Sequence, residues 1–151
     1  MSTEQNKAFM GRFHEEVFNK RNSAFGSGVT SPAYVTHDPT YHSPGDLVSG
    51  PGIPSFLLNF DTAIPDYRVT VDEQIAEGDR VVTRCTLRGT FRGEARTPWG
   101  VYKPTGRSLT FTWISIDRIV DGKVVEAWHQ WDSLGLGLQL GIVSFPDKQA
   151  T

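Results

Sequence analysis

Asp121-Gly122 is the feature that most constrains this chain. It sits between Ile116-Asp117-Arg118-Ile119-Val120 and Lys123-Val124-Val125-Glu126. A two-residue Asp-Gly connection favours the tight turn whose twist matches paired antiparallel strands. Upstream the same alternation repeats. Tyr67, Val69 and Val71 interleave with Arg68, Thr70 and Asp72, and Glu77-Gly78-Asp79 turns the chain into Val81, Thr83, Cys85, Leu87 and Phe91. Leu109, Phe111 and Trp113 continue the pattern, and the last strand runs to about Asp132. A half-apolar antiparallel sheet needs a cover over one face.

The cover comes first in the chain. Phe9, Phe13, Val17 and Phe18 recur with a period near that of an α-helix, and Ser2 or Thr3 can cap its start. Asn22 to Ser31, with Gly26 and Gly28, allows only a short or irregular helix. Ala33 to Asp38 reads as a short strand stopped by Pro39, and residues 41–54 as a loop. Pro54 to Ala63 reads as a second helix with Phe56, Leu57 and Phe60 on its apolar face. Gly93 to Gly106 reads as a loop, and Leu134, Leu136, Leu138 and Leu140 as a Gly-broken tail. Helices followed by hairpin-linked strands make an α+β domain with helices packed in a curved antiparallel sheet, which can enclose a cavity. The 151 residues form one domain, 1–151, without internal repeats.

Composition narrows the partners. A net charge of -2, with no run of Lys or Arg, disfavours nucleic acid and anionic membranes. The single Cys85 excludes an internal disulfide and lies in an apolar run that suits a buried, inert thiol. The first residues lack the apolar core of a signal peptide, and no stretch approaches the roughly 18 apolar residues of a membrane span. A cytoplasmic location is the expectation.

Phosphate loops, Gly-x-Ser-x-Gly and His-Glu-x-x-His are absent from the sequence. His37 and His42 lie in a proline-flanked stretch without a Cys or Glu cluster, so no metal is expected. Chemistry then falls to carboxylates and imidazoles. Asp132 and Trp128 share strand parity, and a carboxylate beside indole rings is desolvated into a useful acid or base. Asp132 equally reads as a cap for the segment starting at Ser133. His129 has the opposite parity and reaches the same face only through a bulge. His37, at the end of an early strand, can enter a cavity. Asp38 is an Asx-turn residue or a second acid. Trp113, Trp128, Tyr34, Tyr41, Phe56, Phe60 and Trp99 are candidate walls of a substrate pocket, Trp99 on a loop that can serve as a lid.

Three segments of the first half stand out: Arg12-Phe13-His14-Glu15-Glu16-Val17-Phe18-Asn19, Val35-Thr36-His37-Asp38-Pro39 and Ile64-Pro65-Asp66-Tyr67-Arg68-Val69-Thr70-Val71. Ile75-Ala76-Glu77-Gly78-Asp79-Arg80-Val81-Val82, Pro104-Thr105-Gly106-Arg107 and Trp131-Asp132 with Gln139-Leu140-Gly141 follow them. In this order, along nearly the whole chain, they resemble the SnoaL-like polyketide cyclases. The resemblance implies a cone of the nuclear-transport-factor-2-like kind, assembled as a homodimer or homotetramer around a hydrophobic small-molecule substrate. It also implies intramolecular aldol ring closure without metal or organic cofactor, with Asp132 as acid/base and His37 and His129 as pocket histidines. The Gly-rich segment 23–30, the loop 95–103 and the stiff entrance 51–54 depart from the family pattern. Rival readings are a pericyclic closure, an epoxide-opening reaction drawing on Arg84, Arg88, Asp66 and Asp117, and a non-catalytic binding module.

Overall fold

Ser2 starts the first helix, α1 (Thr3–His14), through a capping box: its hydroxyl accepts from Gln5 N at 3.2 Å while Gln5 Oε1 accepts from Ser2 N at 2.7 Å. The computed structural model describes residues 1–37, 48–49, 60–97 and 100–147. The buried line of α1 is Asn6, Met10 and His14, with Phe9 and Phe13 flanking it half-buried. The expected stripe is therefore rotated. The stripe runs on through a π-helical turn, Glu15–Asn19, where Val17 and Phe18 are buried. Asn19 pins that turn by accepting from Val69 N at 2.8 Å and donating to Val69 O at 3.0 Å.

A short helix, α2 (Ser23–Val29), follows with Asn22 as cap, as its glycines require. It leads to β1 (Thr30–His37), β2 (Val48–Ser49), a one-turn helix α3 (Phe60–Ala63), β3 (Arg68–Glu77) and β4 (Arg80–Thr90). Then come β5 (Ala95–Thr97), β6 (Gly100–Tyr102), β7 (Ser108–Val120), β8 (Lys123–Trp131) and α4 (Ser133–Leu140). Strand β2 lies inside the stretch expected as loop, and β5 and β6 form a ribbon inside the second one. The expected start of the second helix, residues 54–59, lies outside the described residues.

The main sheet runs β2-β1-β8-β7-β4-β3, with antiparallel pairs except β1 beside β8, which are parallel. The helical segments lie on its concave face, giving the expected α+β cone. Asp121 and Gly122 take φ of 49° and 71°, so the anticipated tight hairpin forms between β7 and β8. Two clusters of buried residues fill the interior. Met10, Tyr34, Val81, Ile119, Val124 and Ala127 fill the hairpin end. Phe18, Phe60, Tyr67, Leu87, Phe111, Trp113, Leu136 and Leu140 fill the end nearer α4.

The expected Gly-broken tail is helix α4. Asp132 caps it by accepting from Gly135 N at 2.9 Å, and Gly141, at φ 76°, ends it. Gly135 leaves room for this cap, because a Cβ there would sit 2.1 Å from Asp132 Oδ2.

Candidate active site

Register decides which side chains share the interior. Opposed residues on neighbouring strands point to the same face. On β7, Leu109, Phe111, Trp113, Ser115, Asp117 and Ile119 are buried and alternate with exposed residues. Trp113 pairs with Cys85 and Trp131, Ser115 with Thr83 and His129, and Asp117 with Val81 and Ala127. Ala127 in turn pairs with Thr36. The concave face is thus layered: a polar layer of Thr83, Ser115, His129, Asp117 and Thr36, then an aromatic layer of Trp113 and Trp131.

This register corrects the parity reading of the last strand. A bulge at Val125, where pairing shifts between Arg118/Glu126 and Ile119/Val124, lies at its hairpin end. Beyond it His129 and Trp131 face inward, stacked at 5.8 Å, and Trp131 lies 4.9 Å from Trp113 between ring centroids. Trp128 faces the convex side, opposite exposed Ile116, and so does not line the concave interior. His37, paired with Trp128, joins it there with rings parallel at 5.0 Å. His37 Nε2 donates to Glu126 Oε1 at 3.0 Å, and Arg118 bridges Glu126 and Asp79. His37 is therefore a convex-face residue, because odd-numbered residues at the end of β1 point away from buried Tyr34 and Thr36. Asp132 is exposed at the β8–α4 junction, its carboxylate bonded to Gly135. Trp128 and Asp132 do not enter the cone together as a base with its indole wall.

Trp113, Tyr34 and Phe60 are buried in the interior. Tyr41, Phe56, Trp99, Asp38 and His42 lie outside the described residues. The Arg84, Arg88, Asp66 and Asp117 set does not assemble. Asp66 accepts from Thr90 N at 2.7 Å and Thr90 Oγ1 at 2.8 Å at the surface, and Arg84 pairs with Asp72 and Glu73. Only Asp117 of the four is interior.

Asp117 is the strongest chemical signal in the interior. It is 5% exposed, and Ser115 Oγ donates to its Oδ2 at 2.7 Å. Desolvation pushes its pKa up to about 7, and the Ser115 bond opposes only part of that rise. Cys85, on the neighbouring strand, is pushed up to about 12 by burial and by the charges of Asp72 and Asp117, which makes it an inert thiol. Thr36 Oγ1 is sealed from solvent without a hydrogen-bond partner among the described residues. His14 stacks on Phe18 at 5.6 Å and on Trp113 at 6.4 Å, and its Nδ1–H donates to Met10 O at 2.7 Å. Burial holds its pKa below the ordinary imidazole value. Sequence reasoning passed over His14 and Ser115 and left Asp117 unplaced. Asp117 shares odd-numbered parity with Leu109, Phe111 and Trp113, which was the available signal. Among the described residues no three His, Cys, Asp or Glu side chains group to hold a metal ion.

Residues 8–140 match the family model of the SnoaL-like polyketide cyclase. The chain belongs to that family. Among solved structures, AclR of Streptomyces galilaeus, named as a candidate hydroxylase, is 26% identical with a TM-score of 0.80, over 95% of this chain and 100% of its own. IdmH of Streptomyces antibioticus, named as a candidate polyketide cyclase, is 30% identical with a TM-score of 0.67, over 91% and 99%. A nuclear-transport-factor-2-like protein of unknown function from Burkholderia pseudomallei shares the fold at 24% identity and a TM-score of 0.66, over 93% and 98%. No curated protein matches the sequence. The family and the cone are settled, and the differing names of the neighbours leave the reaction to the interior side chains.

Proposed function

We propose that this chain closes a carbon–carbon ring in a polyketide-type substrate by intramolecular aldol addition, without metal or organic cofactor, as part of natural-product (antibiotic) biosynthesis. One observation supports it most: Asp117, a carboxyl with a pKa near 7, lies in a polar layer beneath Trp113 and Trp131. A base poised at neutrality is what carbon-acid chemistry requires. Ionised Asp117 takes a proton from a carbon flanked by carbonyls. The resulting enolate attacks a second carbonyl of the same molecule, a carbon–carbon bond forms, and the protonated Asp117 returns its proton to the new alkoxide. His129, opposite Ser115, is the second proton-handling group of the layer. The aromatic wall holds a flat apolar body so that the reacting carbons meet, an effect worth up to ~7–11 kcal/mol.

The test follows ring closure of synthetic poly-β-carbonyl chains by NMR and mass spectrometry. Asp117→Asn is expected to lower the rate by roughly 10²–10⁴-fold. A second reading, supported by the family resemblance, assigns the proton to Asp132 at the rim, and the loss then follows Asp132→Asn instead. A shape-driven pericyclic closure, which the aromatic wall also suits, survives both substitutions. An epoxide-opening reaction lacks the arginine and paired aspartates among the described interior residues. No ring closure with any chain and every variant alike overturns the enzyme reading in favour of a binding module.

The convex face suggests a homodimer. Exposed Ile114 and Ile116 lie beside the Trp128–His37 stack, rimmed by Arg118, Glu126 and Asp79. Sedimentation of Trp128→Asp is expected to give monomers if two copies pair there. Among the described residues no helix is long and apolar enough to cross a membrane. A cytoplasmic location remains part of the proposal, to be checked by fractionation.

A further inference from the structure

His14 is buried to 4% exposure, yet packing alone does not require an imidazole there. A leucine or phenylalanine would fill the space between Phe18 and Trp113 without bringing two ring nitrogens into a low-dielectric interior. Three features define what the imidazole offers. The bond from Nδ1–H to Met10 O fixes the tautomer, which leaves the lone pair on Nε2. Stacking on two aromatic rings fixes the ring plane. The π-helical turn begins at the next residue, and such turns inside helices occur frequently at functional sites. The turn is tied to β3 through both bonds of Asn19 to Val69, so its aim is rigid. Among the described residues nothing bonds Nε2, and His14 meets the same Trp113 that forms the aromatic wall.

We propose that His14 is a ligand-binding residue whose Nε2 accepts a hydrogen bond from a phenolic or enolic hydroxyl on a flat ligand seated against Trp113. The preferred ligand thus presents a hydroxyl donor on a conjugated ring system. An apolar ring without a donor leaves Nε2 buried and unsatisfied, which penalises it. This rests on the concave interior being a ligand pocket, but not on Asp117 performing ring closure.

The probes are 2-naphthol and 2-methoxynaphthalene, which share one flat body and differ in the donor. Quenching of tryptophan fluorescence gives both dissociation constants. Wild type is expected to prefer 2-naphthol by roughly 3–10-fold, the range of one buried hydrogen bond. His14→Phe is expected to equalise the two, and His14→Gln, which keeps an acceptor, to restore part of the preference. Neither probe can undergo ring closure, so the readout is binding alone and separates this inference from the aldol reading. Equal affinity for the two probes in wild type, no binding of either, or a preference unchanged in His14→Phe overturns the proposal.

Discussion

Replacing Asp117 by asparagine isolates the energetic consequence of burying a carboxyl under the aromatic wall. In the folded state Asp117 rises from an ordinary 3.8 to about 7, chiefly through desolvation. A raised carboxyl pKa means that the neutral form suits the fold and the charged form opposes it. The favourable state is therefore fully populated below about pH 4, and stability falls as pH rises through 7. A shift of about three units, at 1.36 kcal/mol per unit, corresponds to a loss of about 4 kcal/mol across that window. The amide introduced by Asp117→Asn stays neutral throughout and still accepts from Ser115. Urea unfolding of wild type and Asp117→Asn, followed by tryptophan fluorescence at pH 4.5 and pH 8, measures the difference. The variant is expected to gain about 2–4 kcal/mol relative to wild type between the two conditions. Parallel stability profiles would refute the claim that a fully buried, destabilised carboxylate exists at this position.

Two further outcomes follow from local geometry. Gly135→Ala places a methyl group 2.1 Å from Asp132 Oδ2, and should cost about 1–3 kcal/mol in the same unfolding assay. In an Asp132→Ala background that cost should largely vanish, and additivity of the two changes contradicts the capping contact. Cys85, buried with its pKa near 12, should react with a thiol reagent only as fast as the protein unfolds, whereas rapid labelling of the native protein contradicts its placement.

Much of the architecture was readable because it rests on local chemistry. Asp121-Gly122 forces one turn geometry, and the alternation from Tyr67 to Trp113 has a single face that can be buried. Ser2 with Gln5 carries a complete cap in four residues. The site was less legible because it depends on which face a stripe presents, and that leaves no compositional mark. On α1 the buried line is Asn6, Met10 and His14, and Phe9 and Phe13 lie one position off it, half-buried. In the last strand, parity linked Asp132 to Trp128, but the pairing with β7 turns Trp128 outward with His37 and brings His129 inward. Asp132, read either as cap or as base, is a cap in this geometry, since leucines spaced through glycines concealed a helix that Asp132 could start. Asp117 lay in a strand whose buried parity was already evident, but a lone aspartate among apolar residues carries no motif.

Carbon-13 NMR of the aspartate carboxyl carbons, titrated from pH 4 to pH 9 and assigned by the resonance lost in Asp117→Asn, tests most directly whether the interior holds a poised base. Asp117 is expected to titrate with a midpoint near 7. A midpoint below 5 would contradict it, and would leave the cone without the acid/base group on which ring closure depends.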